Sequence, residues 1–153
     1  MIKFFKKFFG FFIKIYKENA RTVVQIFGIK LKFKNVKINQ IEDCCCIGNL
    51  PYFIEQNVEF PHPVGIVIHP NVKIGKGCKI WQNVTIGNGK YNPETGRTYP
   101  VLGNNVLVYS NSVVVGGITI GDDVVIGAGA VVVKDVPCGA TVVGNPARII
   151  KQK

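Results

Sequence analysis

Acidic residues are few in this chain: nine Asp/Glu stand against 19 Lys/Arg in 153 residues, a formal charge of +10. Histidine is scarcer, with His62 and His69 alone, and Met and Trp occur once each. The five cysteines (Cys44, Cys45, Cys46, Cys78, Cys138) form no C-x-x-C pair. With two His and irregular Cys spacing, a zinc site of the Cys/His type is not expected, and no metal is assigned. A secretory leader is not expected either, since the longest uncharged apolar run near the start, Phe8 to Ile13, is short for one. Reduced thiols and a cytoplasmic location are therefore expected. Thr98 to Gly121 carries no charge over 24 residues, but it contains Pro100, three Asn and four Gly, a poor membrane span. Charged residues make up only 18% and apolar ones 47%, which excludes global disorder.

What charge there is lies unevenly. Residues 1–38 hold ten Lys/Arg against Glu18 alone, +9, whereas residues 39–153 hold nine Lys/Arg and eight acids, +1. A basic arm, read here as 1–40, thus precedes a nearly neutral body, and no nucleic-acid partner is expected. On a helix at 100° per residue, Lys3, Lys6, Lys7, Lys14 and Lys17 share an arc of about 100°, with Phe, Ile and Tyr filling the rest. That pattern predicts a short amphipathic helix over 2–17. It either contacts a membrane surface through residues 1–17 or packs on protein. Ile29 to Lys34 alternates strictly between apolar and Lys and reads as a strand.

The body has a period of six. Ile68, Ile74, Ile80 and Ile86 begin it, and Leu102, Val108, Val114, Ile120, Ile126 and Val132 resume it after a ten-residue insertion within 87–101. A small or apolar residue recurs four positions on, as at Val72, Cys78, Val84, Val124 and Ala130. Upstream, Ile54 and Phe60 keep the same spacing. No single helix face has this period. A stack of short strands with turns between does, each coil burying its inner side on the next. The repeat domain is placed at 41–148, followed by a basic tail at 149–153. Cys78, in a +4 slot, reads as a core residue.

The recurring [Leu/Ile/Val]-Gly-x4 resembles the hexapeptide-repeat acyltransferases. So do the segments Phe60-Pro-His-Pro-Val-Gly-Ile-Val-Ile-His-Pro70, Ile126-Gly-Ala-Gly-Ala-Val-Val-Val-Lys-Asp-Val-Pro137 and Val143-Gly-Asn-Pro-Ala-Arg148. The resemblance covers roughly 50–150 and points to the serine acetyltransferase and polysaccharide O-acetyltransferase subgroup. It implies a mainly β fold, a left-handed parallel β-helix, here with the N-terminal amphipathic helix and strand added. It also implies a homotrimer with active sites between chains, and acetyl-CoA as co-substrate.

Acetyl transfer from a thioester to a hydroxyl needs a base for the hydroxyl proton and donors for the oxyanion. His62 matches the family's catalytic His and is the expected general base, whereas His69, before Pro70, reads as a turn residue. The family's orienting Asp falls on Ile47, and Pro61 precedes His62, which leaves Glu55, Glu59, Asp43 or a backbone carbonyl as partner. The family's loop Arg and His, which hold a substrate carboxylate, fall on Thr98 and Tyr99, with Arg97 adjacent. On that ground the expected acceptor is a hydroxyl of a sugar or polysaccharide precursor at the inner membrane face. Serine, and the amine of an amino sugar, are the alternatives, and an inactive assembly module is the non-enzymatic one. Trp81, Arg97 and Tyr99 are assigned to the acceptor. Gly127, Ala128, Gly129 and Ala130 would line the coenzyme A arm, and Lys134 and Arg148 would meet its phosphates.

Overall fold

An apolar residue every sixth position leaves two or three residues for each strand and three or four for each corner. The fold follows from that spacing. The computed structural model describes residues 13–18, 21–26, 29–33 and 45–152. Met1–Lys37 and Ile38–Lys153 are separate compact units.

The first unit contains strands β1 (Ile13–Glu18), β2 (Arg21–Ile26) and β3 (Ile29–Phe33), an antiparallel sheet in the order β1-β2-β3. The strand expected from the Ile29–Lys34 alternation is β3. The helix expected over 2–17 is corrected where it can be seen. Ile13 to Lys17 belong to β1, because three of the five, Ile13, Ile15 and Tyr16, are strand formers and the backbone pairs with β2 from Ile13↔Ile26 to Glu18↔Arg21. The rest of that helix, residues 2–12, lies outside the described residues, as do Asp43 and Cys44.

In the second unit β4 (Cys46–Ile47) leads to helix α1 (Leu50–Glu55), and the coils follow. The first comprises β5 (Val67–Ile68), β6 (Lys73–Ile74) and β7 (Lys79–Ile80). The second comprises β8 (Thr85–Gly87), β9 (Val101–Leu102) and β10 (Leu107–Val108). The third comprises β11 (Val113–Val115), β12 (Thr119–Ile120) and β13 (Val125–Ile126). The last comprises β14 (Val131–Val132), a bridge at Val136 and β15 (Ala140–Val143). Parallel pairing stacks them into three faces. The first face is β4-β5-β8-β11-β14, the second β6-β9-β12, and the third β7-β10-β13-β15.

The inward side chains are the period-six set. Ile74, Ile80, Ile86, Val108, Val114 and Ile126 are 0% exposed, and Val72, Cys78, Val84, Val106, Val124 and Ala130 fill the +4 slots at 0%. Each fully buried Ile contributes about 1.5–3 kcal/mol. Two of the three corners are columns of left-handed backbone. Gly65, Asn83, Asn111 and Gly129 have φ of 63°, 56°, 60° and 68° between the third face and the first. Asn57, Gly77, Asn105, Asp123 and Gly139 repeat this between the second and third, with φ of 55–70°. Only Gly, Asn and Asp tolerate that conformation readily. The corner between the first and second faces lacks such a column, and from it the insertion emerges.

Both ends are closed. Phe53 of α1 is fully buried under the first coil, and Tyr52 Oη donates to the Ile74 carbonyl at 2.9 Å. Ile54 lies in α1, so the period of six does not extend to it; Phe60, beside the Glu59↔Lys79 bridge, does join the third face. At the other end β16 (Arg148–Gln152) pairs antiparallel with β15, so most of the stretch read as a tail is strand.

Candidate active site

Two edges flank the first face, and the candidate residues divide between them. Along the edge joining the third face to the first, hydrogen bonds set the order of the rungs. Trp81 N donates to the Val108 carbonyl, Tyr109 N to Ile126 and Gly127 N to Val142, at 2.8–3.0 Å. Ile80 N donates to the Glu59 carbonyl below them. Pro61, Trp81, Tyr109, Gly127 and Val143 therefore form one column, with His62 beside its lowest rung. His62 is exposed, on a corner held by a Val64 N–H to His62 carbonyl bond of 2.8 Å, and no hydrogen bond to its ring arises among the described residues. Glu59 is engaged with Lys79 at 3.0 Å, Glu55 is exposed on α1, and Ile47 lies in β4, so no carboxylate orients the ring within the described residues.

Trp81 stacks on Tyr109 with centroids 4.6 Å apart and planes at 24°. Tyr109, which with Ser110 replaces the Gly-Ala of the family the sequence resembles, directly follows an inward residue of the same face as Trp81 does, Val108 and Ile80. Of the small residues, Ala128 and Gly129 are exposed and Gly127 half-buried. Ala130 is 0% exposed and points into the core, which corrects its assignment as a side chain lining a groove. Arg148 begins β16, exposed above this column, its Nη1 donating to the Pro146 and Ala147 carbonyls.

The other edge carries the insertion. Asn92 Nδ2 and Thr95 Oγ1 donate to the Gly117 carbonyl at 3.1 and 3.0 Å, and Gly117 N donates to the Lys90 carbonyl at 3.1 Å. Arg97 Nη2 donates to Thr119 Oγ1 at 2.9 Å. Gly116, at φ 103°, turns the third coil beneath the loop. Tyr99 stacks on His69 at 4.3 Å and 21°, while His69 Nδ1 accepts from Asn71 N at 3.2 Å. His69 is thus the turn residue expected, with a stacking role the sequence reading missed. Asn71, Lys73, Tyr91, Arg97, Thr98 and Tyr99 line a cleft of about 310 Å³. Lys134 is exposed at this edge too, after β14, so one chain does not bring it to Gly127–Gly129. Nor does it bring Arg97 and Tyr99 to Trp81 and His62, which lie across the first face.

Residues 99–134 match the bacterial transferase hexapeptide family, defined by six repeats. The coil domain has the fold to which these repeats belong, a left-handed parallel β-helix. Its relatives are more particular. The chain is 45% identical over 96 residues to the serine acetyltransferase of Synechococcus elongatus, covering 62% of this chain and 38% of that protein. It is 44% identical over 90 residues to the serine acetyltransferase of Helicobacter pylori, covering 58% and 51%. Among solved structures, Neisseria gonorrhoeae serine acetyltransferase in complex with serine superimposes with a TM-score of 0.56 at 35% identity, over 62% of this chain and 38% of that one. The soybean enzyme complexed with serine gives 0.54 at 33%, over 70% and 40%. The chain thus spans between 38% and 51% of the length of these relatives. They do not support the sugar acceptor expected from Thr98 and Tyr99, and they favour the serine alternative.

Proposed function

We propose that this protein is an acetyl-CoA-dependent O-acetyltransferase with His62 as general base, and that serine is its acceptor. The observation that carries the reading is the edge column, which sets an exposed His62 below small, solvent-facing residues and Arg148. His62 takes the proton of the acceptor hydroxyl as the oxygen attacks the thioester carbonyl. The tetrahedral intermediate then expels the thiolate of coenzyme A, which recovers the proton from the imidazolium. Ala128 and Gly129 let the pantetheine arm approach backbone groups, and Arg148 meets phosphate. Serine rests on the similarity to serine acetyltransferases. A sugar hydroxyl is the second reading, favoured by Tyr99 being stacked on His69 and by Arg97 being tied to Thr119.

The two half-sites would meet between copies in a homotrimer. The outward residues of the first face, Cys46, Val67, Thr85, Val113 and Val131, form an uncharged stripe between the two edges, with Val67 45% exposed. The outward positions of the second and third faces include Lys73 and Lys79 instead. Lys134 would reach the donor from the neighbouring copy. We place the protein in the cytoplasm, with residues 1–17 touching the inner, anionic membrane face. No helix among the described residues is long and apolar enough to cross a membrane.

The test is thiol release from acetyl-CoA with L-serine and a panel of sugars, for wild type and His62→Ala. Turnover with serine that is lost in the variant is expected. Turnover with sugars alone would transfer the function to the second reading, and an active His62→Ala would remove the mechanism.

A further inference from the structure

The register of β1, β2 and β3 sorts their residues onto two sides, since partners across strands share a side of the sheet and successive residues alternate. Ile13, Ile26 and Ile29 make one rung, Ile15, Val24 and Leu31 the next on that side, and Lys17, Thr22 and Phe33 the last. Seven of these nine positions are apolar. The other side takes Lys14, Gln25 and Lys30, then Tyr16, Val23 and Lys32, then Glu18 and Arg21, four cations against one acid. A sheet with one apolar side ordinarily needs a layer to cover it. Among the described residues of Met1–Lys37, a compact unit of its own, no second layer occurs.

Size and charge decide what kind of cover fits. At about 4.8 Å between strands and 3.3 Å per residue, the sheet presents roughly 240–290 Å² on a side. A stable interface between two proteins buries about 800 Å² on each, so this side alone is too small to hold a second copy. A lipid surface sets no such threshold. Residues 1–38 carry +9 against +1 for residues 39–153, which favours an anionic one.

We infer that the β1–β3 sheet docks the protein on an anionic lipid surface, with the side of Ile15, Val24 and Leu31 at the acyl boundary and the cationic side at headgroup level. Amphipathic elements lie in an interface in this way, about 5–10 Å deep. The inference rests on the membrane placement given above and extends it, since the contact then runs through 21–33 as well as 1–17.

Val23 and Val24 are neighbours on β2 that fall on opposite sides. The full chain is floated with phosphatidylcholine vesicles, with and without phosphatidylglycerol. Wild type should float with the anionic lipid, and less as salt rises. Val24→Asp is expected to lower the partition coefficient about a hundredfold, and Val23→Asp, with the same added charge, about fivefold. Leu31→Trp and Lys32→Trp place a strand former on opposite sides of β3 and read depth. Brominated lipid should quench the emission added by the first, over that of Trp81, and leave that of the second. Equal losses in the two Asp variants, or equal quenching in the two Trp variants, would overturn the inference. If removing residues 2–12 abolishes flotation while Val24→Asp leaves it unchanged, the inference falls and the membrane placement stands. A wild type that never floats would overturn both.

Discussion

Gly117→Ala should release the insertion loop from the coil without unfolding the coil. A Cβ at this position would stand 2.8 Å from the Arg97 carbonyl carbon and 2.9 Å from Asn92 Cβ, and would press on the Arg97 carbonyl oxygen more closely still. The obstacles are mostly backbone, so the loop must lift. Lifting it breaks the Asn92, Thr95 and Lys90 bonds around Gly117 and the Arg97–Thr119 bond. At about 1 kcal/mol net for each, the docking amounts to roughly 4 kcal/mol. By that measure the open population rises by close to a thousandfold. Trypsin supplies the assay, since Lys90 and Arg97 both lie within the loop. Cleavage after these residues should become fast in the variant and remain slow in wild type. The coil's thermal transition should persist, because the loop adds only Tyr99 and Pro100 at the margin of the core and none of the period-six side chains. An equal rate of cleavage in the two proteins would refute the claim that Gly117 is small in order to seat the loop.

Other substitutions test the corners, the core and the buried thiol. Asn111→Ala forces a Cβ-bearing residue without a local polar partner into φ 60° and removes the 3.2 Å bond from Asn83. Denaturant unfolding should register a loss of about 1–2 kcal/mol, and Asn111→Gly should lose less. Ile126→Ala empties a site that is 0% exposed and should cost about 2–5 kcal/mol in the same measurement. Burial pushes the Cys78 thiol above its ordinary value of 9.0, so above that pH the unfolded chain gives up a proton that the folded chain keeps. Stability should therefore fall as pH rises past 9, by at most about 1.4 kcal/mol per pH unit from this group, and Cys78→Ala should flatten that limb. In native protein a thiol reagent should modify exposed Cys138 while Cys78 reacts only on unfolding.

The coil was legible because one physical requirement repeats. Each strand must send an apolar residue inward, and Ile68 to Val132 do so at a constant interval broken only by the insertion. Cys78 could be placed by that arithmetic alone. The beginning of the chain misled because Lys14 and Lys17 keep a helical spacing with the lysines before them, whereas Ile13, Ile15 and Tyr16 favour a strand, and pairing with β2 decides the matter. Ile54 kept the interval by coincidence, since a helix that caps the stack has its own reasons to carry apolar residues. His62, Trp81 and the small residues after Ile126 could be named in advance, but not their arrangement along one edge. Which residues share an edge depends on adding the ten inserted residues to the coil length. Ala130 was misread for a related reason, because its place in the repeat points it inward. The pairing of His69 with Tyr99 follows from the loop's fold and has no signature in spacing.

The coil's length in sequence has a consequence of its own. Ile68 to Ile86, Val114 to Val132 and Val108 to Ile126 are each separated by eighteen residues, one full circuit. An inserted segment of that length between α1 and β16 could be absorbed as an added storey, leaving every face in phase. A segment of six would rotate all that follows by one face, and carry Gly127–Gly129 and Arg148 away from the edge that holds His62. Indels in this protein are thus constrained by a modulus rather than by size. The ten-residue loop is tolerated because it leaves the circuit and returns to it at the same point.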